Sequence, residues 1–205
     1  MNQVSFDLFW SMRSPYCYLA LDRLLEIRER FDVEIKVRVV YPLAIRQPDF
    51  FKVRASKHYR SYNLLDTQRW SKYLKVPFRR PVPDPIVQEL STGVVADQQP
   101  YIYRLTRVTE LATQAGKGME FLNHVVRLLW DGSTDNWHEG DHLSRAINRA
   151  GLDGKTYWIE PKRIVIELML QLQRMKLLKR RQAIAELLLW CLKENLFSVK
   201  IGSNF

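Results

Sequence analysis

The chain has 205 residues, 46% of them hydrophobic and 12% aromatic, which is enough to bury one domain core and excludes wholesale disorder. No apolar run can cross a bilayer and the opening MNQVSFDLFW lacks signal-peptide features, so we expect a cytoplasmic protein with no membrane role. Two cysteines, Cys17 and Cys191, exclude a disulfide framework, while the formal charge of +10 raises the question of nucleic-acid binding.

The first forty residues carry a strand pattern, a helix pattern and a second strand pattern. Apolar side chains alternate from Val4 to Trp10 and again from Val33 to Tyr41, as they do in strands. Between them, Ser14 and Pro15 supply an N-cap and a proline at the first helical position, and helical spacing continues to about residue 30. Strand, helix and strand in this order predict a βαβ unit with a parallel pair of strands.

Helical patterns dominate the next hundred residues. The proline-rich stretch VPFRRPVPDP is predicted as an irregular loop between them. A mostly helical block after a βαβ start indicates an α-helical insertion at about residues 44–150 of a single α/β domain. The predicted helices are Tyr59 to Leu74, Gln99 to Ala115, Lys117 to Asp131, and a short helix that Asp141 caps and Gly151 ends.

The tetrapeptide Ser14-Pro15-Tyr16-Cys17 looks like a C-x-x-C redox motif with serine in place of the first cysteine. Ser14 either caps its helix and nothing more, or helps the helix N-terminus to bind an anion such as a thiolate. Cys17 is expected to pack in the core, because no second cysteine stands nearby for dithiol exchange.

Three segments of the chain resemble the 2-hydroxychromene-2-carboxylate isomerases and the kappa-class glutathione transferases. They are FDLFWSMRSPYCYLALDRL, YNLLDTQRWSKYLKVPF and LLWDGSTDNWHEGDHLSRAINRAGLD, which together span roughly residues 4–154. In the second segment, the residues that fall on the family pattern are Tyr62, Asp66, Arg69, Trp70 and Pro77. The resemblance implies a thioredoxin-like fold of the DsbA family with an α-helical insertion.

The resemblance also implies a function. It identifies Ser14 as the catalytic residue that holds the thiolate of glutathione, and Lys57 as a second glutathione-binding residue. The expected reaction is isomerisation or transfer on a small aromatic or unsaturated acceptor, with glutathione as cofactor, and a homodimer is left open. Three alternatives remain: a protein-disulfide oxidoreductase of the DsbA family, an inactive truncated or frameshifted member, and a nucleic-acid binder.

Two further sequence features, an H-E-x-x-H match and clusters of basic residues, do not predict a functional site. The stretch HEGDH, from His138 to His142, contains Gly140 and Asp141 and follows a turn-rich segment, so we expect no zinc site on a continuous helix. The clusters Arg79-Arg80 and Lys179-Arg180-Arg181 are typical of solvated faces, so we expect no nucleic-acid partner.

The tail from Trp158 to residue 205 is anomalous. It carries nine Lys/Arg against four Glu, a net +5, and lacks the G-[VA]-P-T strand, last strand and last helix that the resemblance implies. The segment QAIAELLLWCLKENLFSVKIG can be encoded so that a shifted frame reads GHSGAPTMVFKGEPFFGQDR. This reading contains the G-[VA]-P-T motif and also the G-x-D-R segment that the resemblance implies after it. We therefore interpret the tail as a frameshift product, with a genuine divergent helix as the alternative; the encoding DNA decides between them.

Overall fold

The structure, a computed structural model, describes residues 3–51, 58–89 and 91–159. Strand β1 (Val4–Trp10) and strand β2 (Val33–Val39) run parallel and are connected by helix α1 (Pro15–Arg30). The predicted βαβ unit is therefore confirmed. Strand β2 ends two residues earlier than its pattern predicts, where the backbone N–H of Val40 donates to the Trp10 carbonyl at 2.8 Å.

The two strands pair in register, from Val4 opposite Val33 to Trp10 opposite Val39. Strand β2 buries alternate side chains, whereas the start of β1 is exposed, with Val4 63% and Phe6 38% accessible. Within the described residues β2 is the only strand that pairs with β1. The second edge of β1 thus has no partner in this part of the chain.

Helices make up most of the remaining described chain. Their number and order agree with a helical block after the βαβ unit, although two elements are not predicted, the four-residue α2 and the helix α8. Residues 118–130 form one continuous helical stretch whose middle turn is π-helical. The elements are α2 (Leu43–Arg46), α3 (Tyr59–Leu74), α4 (Ile102–Gln114), α5 (Gly118–Phe121), the π-helical turn (Leu122–Val126), α6 (Arg127–Trp130), α7 (His142–Arg149) and α8 (Gly154–Ile159).

The start of α4 and the capping of α7 differ from the sequence pattern for physical reasons. Helix α4 begins at Ile102 because the side chain of Gln99 bonds the backbone N–H and carbonyl of Val87, at 2.9 and 2.8 Å, and so belongs to the preceding loop. Asp141 occupies the N-cap position of α7, yet its carboxylate makes no capping hydrogen bond and lies 3.2 Å from Arg145.

The core lies where α1, β2, α4, residues 118–130 and α7 meet. Its largest fully buried side chains include Trp10, Tyr18, Phe121, Trp130 and Trp137. Among the described helices, none has the length and apolar character needed to span a membrane. The tail predicted to be anomalous, 158–205, lies outside the described residues except for the last two positions of α8, and Cys191 lies outside them as well.

Gly93 is a position where a larger residue should destabilise the fold. Its φ is +82°, and an added Cβ would lie 2.6 Å from the Arg60 Nη2 atom and 3.0 Å from the Phe51 carbonyl oxygen. We expect Gly93→Ala to lower the free energy of unfolding by about 2 kcal/mol, measured by chemical denaturation. Gly116→Ala is the matched control, because Gly116 has φ +71° and no atom within 4 Å of an added Cβ. Equal losses in both variants would show that backbone strain alone accounts for the effect.

Candidate functional site

Ser14 stands at the N-cap of α1, as its sequence context predicts. Its backbone is extended, with φ −87° and ψ 116°, and Pro15 occupies the first helical position. The Ser14 Oγ atom accepts a hydrogen bond from the backbone N–H of Cys17 at 3.3 Å. Because the oxygen serves as the acceptor, the hydroxyl proton is left to donate, either to the Cys17 sulfur, whose pKa it lowers, or to a ligand. The hydroxyl can therefore donate to a ligand.

The N-terminal end of α1 carries an uncompensated positive dipole. Its first turn contains no acidic residue, while its last turn contains Arg28 and Arg30, which interact favourably with the opposite end. The N–H groups of the first turn have no carbonyl partner within the helix. Pro15 has no N–H, and the N–H groups of Cys17 and Tyr18 bond Ser14. An anion placed beside Ser14 would thus meet the Tyr16 N–H, a hydroxyl donor and the positive end of a 16-residue helix.

Cys17 is half-buried and packs against the core. Burial raises the pKa of this thiol, although hydrogen bonds from the Ser11 backbone and the Ser14 side chain act in the opposite direction. Cys17 is a free cysteine, and no other cysteine occurs in the described ranges. A thiol that is buried, protonated and unpaired is a poor nucleophile, so the chemistry at this helix end does not come from Cys17.

Tyr16 connects the first and second resembling segments. Its hydroxyl donates to Asp66 Oδ2 at 2.5 Å and accepts a bond from Asn63 Nδ2 at 3.4 Å. Burial, followed by the bond to Asp66, raises the pKa of Tyr16 well above its ordinary value, so the hydroxyl keeps its proton. The first turn of α1 is thereby tied to α3 through two polar side chains.

Tyr16→Phe should lower the free energy of unfolding by roughly 1–2 kcal/mol at neutral pH, because Asp66 loses a buried donor. The raised pKa means that the bond contributes fully below the ordinary tyrosine pKa of about 10 and is lost as pH rises further. The difference between parent and variant should therefore shrink in alkaline solution, as measured by urea denaturation at a series of pH values. Tyr62→Phe, at a position 57% exposed, is the control and should change little. A pH-independent difference would contradict the assignment.

Aromatic side chains hold the second and third resembling segments against the loop that precedes Ser14. Tyr18, Phe78 and Trp130 stack with centroid distances of 5.8 to 6.4 Å. The Tyr18 hydroxyl donates to the Pro77 carbonyl at 2.5 Å, and the Trp130 indole N–H donates to the Met12 carbonyl at 3.2 Å. All three resembling segments therefore meet at the N-terminal end of α1.

An ion-pair cluster fixes the residue immediately before Ser14. Arg13 binds both carboxylate oxygens of Asp84, at 2.8 and 3.1 Å, and its side chain is only 12% exposed. Asp84 also accepts from Arg80 at 2.9 Å and from the Ile86 backbone N–H at 2.9 Å. A bidentate guanidinium–carboxylate pair is geometrically restrictive, so the proline-rich loop orients the backbone at the helix start.

The structure describes one of the two residues of the predicted site. Ser14 is placed as expected, and Asp66 contacts its neighbour Tyr16. Lys57, the second predicted glutathione-binding residue, lies outside the described residues. Asn63 and the Arg13–Asp84 pair were missed, since no spacing in the sequence signals a contact between residues so far apart.

The described residues contain no cluster of His, Cys, Asp and Glu that could hold a metal ion. The two histidines of HEGDH do not share a helix, because His138 lies in a turn and His142 begins α7. His138 contacts the Tyr101 hydroxyl at 3.3 Å, and His142 contacts Arg145 at 3.2 Å. The two imidazoles therefore have separate partners.

Comparison with solved structures relates the chain to 2-hydroxychromene-2-carboxylate isomerase. The match has a TM-score of 0.54 and 16% sequence identity, and it covers 75% of this chain and 69% of that one. No protein-family model matches the chain, and no curated protein does. The similarity confirms the predicted α/β, thioredoxin-like fold of the DsbA type.

Proposed function

We propose that this chain is a cytoplasmic glutathione-dependent isomerase, similar to 2-hydroxychromene-2-carboxylate isomerase, or a glutathione transferase. The acceptor is a small aromatic or unsaturated molecule. The observation that carries the proposal is the hydroxyl of Ser14, which accepts from the Cys17 N–H and can donate its proton to a sulfur at the positive end of α1, as it does to that of Cys17. The fold shared with an isomerase of that name supports the same assignment.

The donor set at this helix end fits a thiolate. The Ser14 hydroxyl, the Tyr16 N–H and the positive end of the helix dipole favour a negative charge, and the absence of acidic residues in the first turn leaves that preference intact. A bound thiol should consequently have a lower pKa than it has in water. Such a site stabilises the anion of an added thiol, which its own buried Cys17 does not supply.

Bound glutathione supplies a nucleophile that adds reversibly to a conjugated double bond, allows rotation about it, and leaves again. The residues of the chain hold that nucleophile in place. Ser14 would donate to the sulfur and α1 would stabilise its charge, while the Tyr16–Asp66 bond fixes the turn that carries both. The Arg13–Asp84 pair restricts the loop before Ser14, so the donor is oriented before the ligand arrives.

The proposal is tested by the ultraviolet absorbance of the thiolate. Glutathione mixed with an excess of the protein should titrate at a lower pH than glutathione alone, and S-methylglutathione should show no such absorbance change. In Ser14→Ala the titration should move back toward that of free glutathione. Bound glutathione whose thiol titrates as it does in water would contradict the proposed role of the helix end.

A further inference from the structure

Helix α3 exposes its large apolar side chains and buries small polar ones. Its two buried residues are Thr67 and Ser71. Of the ten large hydrophobic side chains that are exposed in the described residues, four belong to this one helix. They are Tyr62, Leu64, Leu65 and Tyr73. A surface helix ordinarily has the opposite arrangement, with its apolar side chains facing the core.

Contacts on the inner side hold α3 in this orientation. The buried Thr67 hydroxyl donates to a backbone carbonyl of the same helix at 2.8 Å, so it needs no other partner. Trp70 and Leu74 pack against the core, and the bond between Tyr16 and Asp66 ties the helix to α1. Turning the helix to bury its exposed apolar side chains would break these contacts. The outer face of α3 therefore stays available to a partner.

Three of the exposed apolar side chains form a stripe together with Arg69. Tyr62, Leu65, Arg69 and Tyr73 follow one another at spacings of three, four and four residues, which place them on one face of a helix. With a rise of 1.5 Å per residue, this α3 stripe is roughly 16 Å long. Such a spacing is the seam along which one helix packs against another. Tyrosine and arginine are also the residue types enriched at the energetic centres of protein interfaces.

The charge around the α3 stripe is positive. Residues 58–75, which are the helix and its two caps, contain four Lys or Arg residues and one acidic residue. Three of the four, Arg69, Lys72 and Lys75, are exposed. The one carboxylate, that of Asp66, lies toward α1, where it accepts from a tyrosine hydroxyl. An acidic partner would therefore complement this face.

Other occupants fit the α3 stripe less well. A second copy of the chain would present the same positive face, and residues 158–205 carry a net charge of +5, so like charges oppose both. Anionic membranes take up a helix with a broad apolar face, whereas the charge of Arg69 interrupts this narrow stripe. Single-stranded nucleic acids stack their bases on aromatic rings, whereas Leu65 separates the two tyrosines here.

We propose that the α3 stripe binds an acidic amphipathic helix of a partner protein. The apolar side chains of that helix would pack between Tyr62, Leu65 and Tyr73, and its carboxylates would pair with Arg69 and Lys72. The inference uses neither Ser14 nor glutathione, so it stands or falls separately from the proposed function.

Binding of a synthetic peptide to the full chain tests the proposal. The probe is a fluorescein-labelled peptide of three heptads, with leucine at positions a and d and glutamate at positions e and g. The like charges at e and g keep the peptide from pairing with itself. The matched control peptide carries lysine at e and g. Fluorescence anisotropy should show that the chain binds the glutamate peptide roughly tenfold more tightly than the lysine peptide.

Substitutions then assign the binding to the α3 stripe. Leu65→Ser and Tyr73→Ser, both at exposed positions, should each weaken binding of the glutamate peptide roughly tenfold. Arg69→Glu should abolish the preference for glutamate over lysine. Phe31→Ser, which removes an exposed aromatic side chain beyond the end of α1, and Arg23→Glu, which reverses an exposed charge on α1, are the matched controls and should bind as the parent does.

Several results would overturn the proposal. They include no binding of the glutamate peptide, equal affinity for the two peptides, and binding that survives in both Arg69→Glu and Tyr73→Ser. A dimer in analytical ultracentrifugation that Tyr73→Ser dissociates would assign the stripe to a second copy of the chain. Sedimentation with phosphatidylserine vesicles, or binding of oligothymidylate, that the same substitution abolishes would assign it to a membrane or to nucleic acid.

Discussion

Ser14→Ala is expected to lower glutathione-dependent turnover by roughly a hundredfold, as the loss of one donor to a reacting anion does elsewhere. The same change removes a helix cap, which should cost only about 1 kcal/mol of unfolding free energy. The two effects differ because the Ser14 hydroxyl has two roles. Its oxygen accepts from the Cys17 N–H, which stabilises the helix, and its proton can be donated to the ligand in place of the Cys17 sulfur.

The measurement is the rate of 2-hydroxychromene-2-carboxylate isomerisation with saturating glutathione, together with urea denaturation of the same samples. Ser11→Ala is the matched control, because Ser11 lies in the same loop and only its backbone carbonyl bonds Ser14, at 3.0 Å. The control should retain its activity. Equal turnover in Ser14→Ala and the parent would remove Ser14 from the mechanism.

Ser14→Cys is expected to produce a disulfide reductase from a chain that we expect to lack this activity. The new thiol would occupy the N-cap of α1, where the helix dipole lowers its pKa, and would restore the C-x-x-C spacing with Cys17. The parent has one buried thiol in this region and cannot cycle between dithiol and disulfide.

The disulfide-reductase activity of Ser14→Cys is measured as the catalysed reduction of insulin by dithiothreitol. Ser11→Cys, which adds a thiol in the same loop at the wrong spacing, is the control and should stay inactive. Cys17→Ser in the Ser14→Cys background should abolish turnover, since the second thiol resolves the mixed disulfide. Strong reductase activity in the parent that disappears in Cys17→Ser would instead assign the chain to the disulfide oxidoreductases.

The βαβ unit could be predicted because its elements follow local rules. Alternating apolar residues define β1 and β2, and Ser14-Pro15 marks the start of α1. Helix α2 was not predicted, because its four residues are too few to show a helical periodicity and no side chain caps it. Helix α4 begins three residues late because the Gln99 side chain bonds the Val87 backbone, a tertiary contact that local propensity cannot anticipate.

The candidate site also has one part that the local sequence predicts and another that depends on tertiary contacts. The Ser14 cap depends on neighbouring residues, so its motif was sufficient to find it. The pairs Arg13–Asp84 and Tyr16–Asp66 are separated by 71 and 50 residues, and only the path of the folded chain brings them together.

The contact between the Trp130 indole and the Met12 carbonyl spans 118 residues and determines when the site can form. At a translation rate of roughly 5–20 residues per second, Trp130 is synthesised on the order of ten seconds after Met12. During that time β1, α1 and β2 can pair with one another, since they are close in sequence. A nascent chain that has reached residue 100 therefore contains Ser14 and its helix, but neither the ring stack nor the indole bond that holds the turn in place.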